Sequence, residues 1–141
     1  MAKFIVFEDL PIWQEARNLA KLVYSYSSNN KQFANDYRFV SQIKAAIGSV
    51  MDNIAEGFER ENNKEFIHFL YIAKGSCGEV RSQLHRAMDV GYLSADVYEH
   101  LLEQTFSLSK SLSNFIQYLK TSELSGTRNT KTKEERKFSN L

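Results

Sequence analysis

The strongest pattern along the chain is an apolar stripe at Phe39, Ile43, Ile47, Val50, Ile54 and Phe58, stepping by 4, 4, 3, 4 and 4 residues. That spacing puts all six on one face of a helix. The pattern recurs on either side of it. Trp13, Ala16, Ala20, Val23 and Tyr24 predict a first helix from Pro11 to about Ser27, with Asp9 as its cap and Pro11 in the first turn, where a missing N–H costs nothing. The stripe helix is then the second, from Asn35 or Asp36 to about Glu61. Asn62 followed three residues later by Glu65 reads as a cap opening a third helix, whose stripe is Phe66, Phe69, Leu70, Ala73, Cys77, Val80, Leu84 and Met88 and whose stop is Gly91. Ser94 caps a fourth, in which Tyr98, Leu101, Thr105, Leu108, Leu112, Phe115 and Leu119 alternate steps of 3 and 4. Residues 27–31 read as a loop, with Phe33 plugging one end of the core, and the periodicity vanishes from Ser122 onward.

Four helices with short connections predict an all-α, antiparallel up-down-up-down bundle over residues 1–124. Residues 125–141 read as a flexible basic tail. Composition sharpens this. One proline, six glycines and one cysteine in 141 residues leave little punctuation for strands, no intramolecular disulfide and no cysteine-rich metal site. No leader and no run of about eighteen apolar residues is evident, so the expected setting is cytoplasmic with no membrane contact. The net charge of +1 is unevenly spread: residues 1–124 hold thirteen Lys/Arg against fifteen Asp/Glu, and residues 125–141 hold five against two.

Against the second stripe, residues 53–58 (Asn-Ile-Ala-Glu-Gly-Phe) stand out, because Asn and Gly are poor choices for a helix interior. With the turn centred near Asn62, antiparallel pairing sets Gly48 and Ser49 opposite Gly75, Ser76 and Gly78. Small residues on both sides predict a close backbone approach that a larger side chain would overpack. The other reading is a groove kept open for a ligand or a neighbouring subunit. Asn53 and Glu56 fall near residues 68–71, and Glu56 can pair with Arg60 one turn on. Asn53, Glu56, Gly57, Arg60, Gly75, Ser76 and Glu79 are therefore the candidate structural or assembly residues.

Catalytic and metal chemistry find little support. Glu65 and His68 form a single Glu-x-x-His, where a di-iron bundle needs two copies and two further glutamates. Cys77 lies on an apolar stripe and no Ser/His/Asp set is visible, so the chain reads as a non-enzyme without cofactor or metal. Lys74, Arg81 and His85 share one edge of the third helix, and the hairpin register sets Lys44 beside Arg81. With Arg38 and Arg86 at the far end, these predict a positive ridge for phosphates, to which Arg128 and Lys131 of the tail add. The contrary reading is an ordinary solvated face neutralised by Asp52 and Glu79.

The motifs Phe7-Glu8-Asp9-Leu10-x-Ile12-Trp13-Gln14, Asn53-Ile54-Ala55-Glu56-Gly57-Phe58-x-Arg60 and Glu65-Phe66-x-x-Phe69-Leu70-x-Ile72-Ala73-x-Gly75-Ser76-x-x-Glu79 resemble one bacterial family. Its members are four-helix-bundle proteins encoded in intervening sequences of 23S ribosomal RNA genes. The accessory variability determinant of diversity-generating retroelements is similar. The resemblance spans about residues 4–120. It implies a barrel-like homopentamer without enzymatic activity, and, from the retroelement members, contact with nucleic acid and a reverse transcriptase through a positive outer surface. The expectation is thus an oligomeric bundle that binds structured RNA or an RNA–protein complex; the alternative is a protein-interaction scaffold without nucleic-acid contact.

Overall fold

The structure, a computed structural model, describes residues 4–125, with side chains through Ser122. After a 3-10 turn at Phe7–Asp9 come α1 (Pro11–Asn29), α2 (Lys31–Asn35), α3 (Tyr37–Glu59), α4 (Asn63–Asp89) and α5 (Ala95–Ser125). The four long helices form a ring of neighbours in which α3 lies between α1 and α4, and α5 between α4 and α1. Their directions alternate. Descending α3 from Gly57 through Ser49 to Gln42 ascends α4 from Phe69 through Ser76 to Arg86, and His85–Tyr98 and Cys77–Thr105 repeat that inverse order between α4 and α5. The all-α antiparallel bundle expected from the periodicity is the fold.

Local chemistry explains most helix ends. Asn62 Oδ1 accepts from the Lys64 and Glu65 amides at 2.9 and 3.2 Å, opening α4. At its other end Gly91 takes φ +80°, its amide reaches Met88 O, and the Tyr92 amide reaches Ala87 O at 2.8 Å. This pair of bonds is the Schellman arrangement that glycine accommodates without strain. Ser94 Oγ accepts the Val97 amide, as its capping role requires.

Four expectations are corrected. Asp9 does not cap α1: it lies in the 3-10 turn, and Leu10, without a side-chain cap bond, stands at the N-cap. The first helix continues through the polar cluster to Asn29: Ser27 is buried against the core, and the Ser27 and Ser28 hydroxyls find acceptors within the helix at Tyr24 O. Residues 31–35 are helical rather than loop, since Asn30 Oδ1 caps them by accepting the Phe33 amide at 2.9 Å. At the far end, α5 runs on to Ser125, and Ser122, where the periodic pattern breaks off, is still buried.

The core is continuous through all four long helices, and Phe33 closes one end of it at 1% exposure. Its ring stacks on Tyr92 at 5.1 Å and tilts against Phe39 at 5.2 Å. Asp36 fastens the same corner twice. One carboxylate oxygen accepts the Phe39 amide at the start of α3, and the other accepts the Tyr92 hydroxyl at 2.8 Å. That hydroxyl bond, with smaller contributions from burial and from the Asp36 charge, raises the Tyr92 pKa above its ordinary 10.0. A raised acid stabilises the fold in its protonated form. The contribution is therefore complete below about pH 10 and lost as the pH rises through the folded-state value. Urea titrations across this range should show an alkaline loss of stability that Tyr92→Phe flattens. Asp36→Ala, which also removes the cap, should cost about 1 kcal/mol at neutral pH from that cap alone; an unchanged midpoint would refute the role given to Asp36.

Candidate nucleic-acid interface

Residues 53–58 lie where α3 packs on α4, and their polar members act within the chain. Asn53 Nδ2 donates to Ser49 O at 2.7 Å and to Ser49 Oγ at 3.0 Å, and Ser49 Oγ shares a 2.8 Å hydrogen bond with Ser76 Oγ. This short chain ties the two helices together across a half-buried seam. Glu56 pairs with Arg60 at 3.0 Å, and Arg60 also reaches Glu65 at 3.9 Å and lies over the Phe69 ring. These carboxylates are more than half exposed, so their pairing adds little stability.

The close approach falls one step away from the expected place. A Cβ built on Gly48, Gly75 or Gly78 meets nothing within 4 Å, whereas one on Gly57 stands 2.7 Å from Phe69 Cβ and 2.9 Å from Phe66 Cδ1. Gly57 is the glycine that the packing requires. Gly75 and Glu79 lie on the exposed side of α4, and Glu79 accepts from Gln83 along its own helix.

The positive ridge does not form as expected. Arg81 lies over Phe106 of α5 at 4.7 Å and His85 Nδ1 meets Tyr98 Oη at 2.7 Å, so this edge of α4 faces α5. Lys44 points the other way, its ammonium 4.8 Å from the centre of the Tyr24 ring on α1. Arg86 turns toward α3, over Phe39 and onto Gln42 Oε1, and Arg38 is exposed on α3. Lys44 and Arg81 share a depth in the bundle but stand on opposite flanks of the α3–α4 pair. Arg128 and Lys131 lie outside the described residues.

What the structure does bring together lies between α1 and α3. A groove of about 450 Å³ is lined by Arg17, Ala20, Lys21, Tyr24, Gly48 and Met51. Arg17 is held over Trp13 at 5.6 Å, as Lys44 is over Tyr24. None of Arg17, Lys21 and Lys44 forms an ion pair among the described residues. Tyr24, expected on the first helix's buried stripe, is 47% exposed, because α1 is rotated so that Ile12, Leu19 and Ser27 face the core. The missed residues Arg17 and Lys21 had a signal, since 13, 17, 21 and 24 step by 4, 4 and 3 along one flank of the helix.

The other chemistry-bearing groups are structural or dispersed. Cys77 is buried, its thiol donates to Thr105 O at 3.4 Å, and burial pushes its pKa up to about 11, which disfavours the nucleophilic thiolate. Glu65 and His68 are exposed on the outside of α4, not directed into the bundle. Among the described residues no three His, Cys, Asp or Glu side chains gather as a metal site, and no helix is long and apolar enough to cross a membrane.

The class defined by these features is an antiparallel helical bundle with a hydrogen-bonded polar seam between α3 and α4 and a surface groove lined by Arg17 and Lys21 between α1 and α3. Comparison places it more closely: the model of a family described as 23S rRNA-intervening sequence protein matches residues 8–114, and the chain belongs to that family. Among solved structures, a protein of unknown function from the S23 ribosomal protein family of Bacteroides thetaiotaomicron is similar, with a TM-score of 0.68 and 21% identity. The match covers 74% of this chain and 97% of that one, a likeness of fold. No curated protein matches the sequence.

Proposed function

We propose that this protein is a non-enzymatic bundle that binds structured RNA, with the α1–α3 face as its main contact and the Lys74–Arg81 edge of α4 as a lesser one. One observation carries the reading: Arg17 and Lys21 line a single groove and Lys44 lies over the Tyr24 ring that forms one of its walls, none of the three with an ion-pair partner among the described residues. Phosphate contacts need uncompensated cations held in fixed positions. Several copies in one assembly would add such faces into a multivalent surface, and light scattering on the full chain measures that assembly.

The test is anisotropy of a labelled RNA hairpin titrated with the full-length protein over a range of salt. Three phosphate contacts predict a slope of log affinity against log salt of roughly −2 to −3. Lys21→Ala should weaken binding to all hairpins alike and make that slope shallower by about one. No association at low salt would reject the RNA reading in favour of a protein-interaction scaffold.

A further inference from the structure

We infer that the α1–α3 groove receives one unpaired nucleotide of a bound RNA, its base on the apolar floor and its phosphate among the rim cations. The inference rests on the RNA-binding reading and assigns it a site and a ligand class. The floor is Ala20, Gly48 and Met51, which offer a base no side-chain hydrogen-bonding edge. Contact there is with the flat face of a ring and tolerates any base. Tyr24 forms one wall and is fixed by the Lys44 ammonium over its ring. Arg17 and Lys21 complete a positive rim around the same opening.

Gly48 makes the depth. Space around its missing side chain is open, since a Cβ there meets nothing within 4 Å, so the glycine is not demanded by packing inside the chain. A helix-interior glycine that packing does not need still costs stability. The groove's volume, about 450 Å³, is that of a small-ligand site rather than of a helix-binding cleft. A base inside a duplex is stacked between its neighbours and cannot enter, so the groove selects bulged or looped positions. The chain's own last residues do not suit it: from 125 onward they carry five cations against two carboxylates, the same sign as the rim.

Three hairpins of equal length distinguish the possibilities: one fully paired, one with a single bulged adenosine, and one with an abasic residue at the bulge. For the wild-type protein the bulged adenosine should bind about tenfold more tightly than the abasic hairpin, the scale of one stacked base. Gly48→Leu fills the groove from open space and should erase that preference while leaving the salt slope intact and the melting temperature no lower. Tyr24→Ala should erase it as well. Salt-dependent binding with equal affinity for all three hairpins would overturn this inference and leave the RNA reading standing; so would a Gly48→Leu variant that keeps the preference. Loss of self-association in Gly48→Leu, seen by light scattering, would instead make the groove an interface between copies. Absence of binding to every hairpin would remove both readings together.

Discussion

Gly57→Val should destabilise the bundle by about 3 kcal/mol, the upper part of the usual range for overpacking. Even the first added carbon stands 2.7 Å from Phe69 Cβ and 2.9 Å from Phe66 Cδ1. A flexible side-chain end could swing aside; Phe69 Cβ is fixed to its backbone, so α3 and α4 must separate to make room. Gly57→Ala should also be destabilising, although alanine is favoured over glycine by about 1 kcal/mol in a helix. Gly48→Ala is the matched comparison, because its Cβ meets nothing and the propensity gain stands alone at about 1 kcal/mol of stabilisation. Guanidinium unfolding followed by circular dichroism measures both. Two glycines nine residues apart on one helix should thus give changes of opposite sign. A stabilised Gly57→Ala would mean that the α3–α4 approach is looser than the structure shows.

Phe33→Ala should cost about 3–5 kcal/mol, as expected for a fully buried aromatic. The ring is 1% exposed and packs on both Phe39 and Tyr92, so its loss opens a cavity bounded by α2, α3 and the turn after α4. α2 has only five residues and cannot hold its helical form without that anchor. The loss should therefore be larger than the transfer of one ring implies, and Phe33→Leu, which keeps most of the volume, should recover more than half of it. The same denaturation experiment decides. A Phe33→Ala change below about 1 kcal/mol would show that this end of the core is not closed by the ring.

These two residues also mark the limits of what was legible beforehand. Phe33 was readable as a plug because an isolated aromatic between two helical patterns has few other places to go. Gly57 is readable as an anomaly, but the hairpin register predicts the close approach at Gly48, Gly75 and Gly78, where a Cβ meets nothing within 4 Å. Depth along the bundle was right in that assignment, as the Ser49–Ser76 hydrogen bond shows. The angle around each helix axis was not.

Local sequence determined the four long helices, a start of α3 at Asn35 or Asp36, the Asn62 and Ser94 caps, the Gly91 stop and most of the buried stripe, because these depend on residues within one or two turns of each other. Tertiary structure decided the rest. An apolar stripe says which residues share a face, but it leaves two flanks whose neighbouring helices are set by the winding of the bundle. Lys44 therefore went to Tyr24 of α1 and not to Arg81. Asn63, beside a capping Asn62, became a fully buried amide donating to Leu119 O at 3.3 Å. The same rotation carried Tyr24 from the expected core to the edge of the α1–α3 groove, beside Arg17 and Lys21.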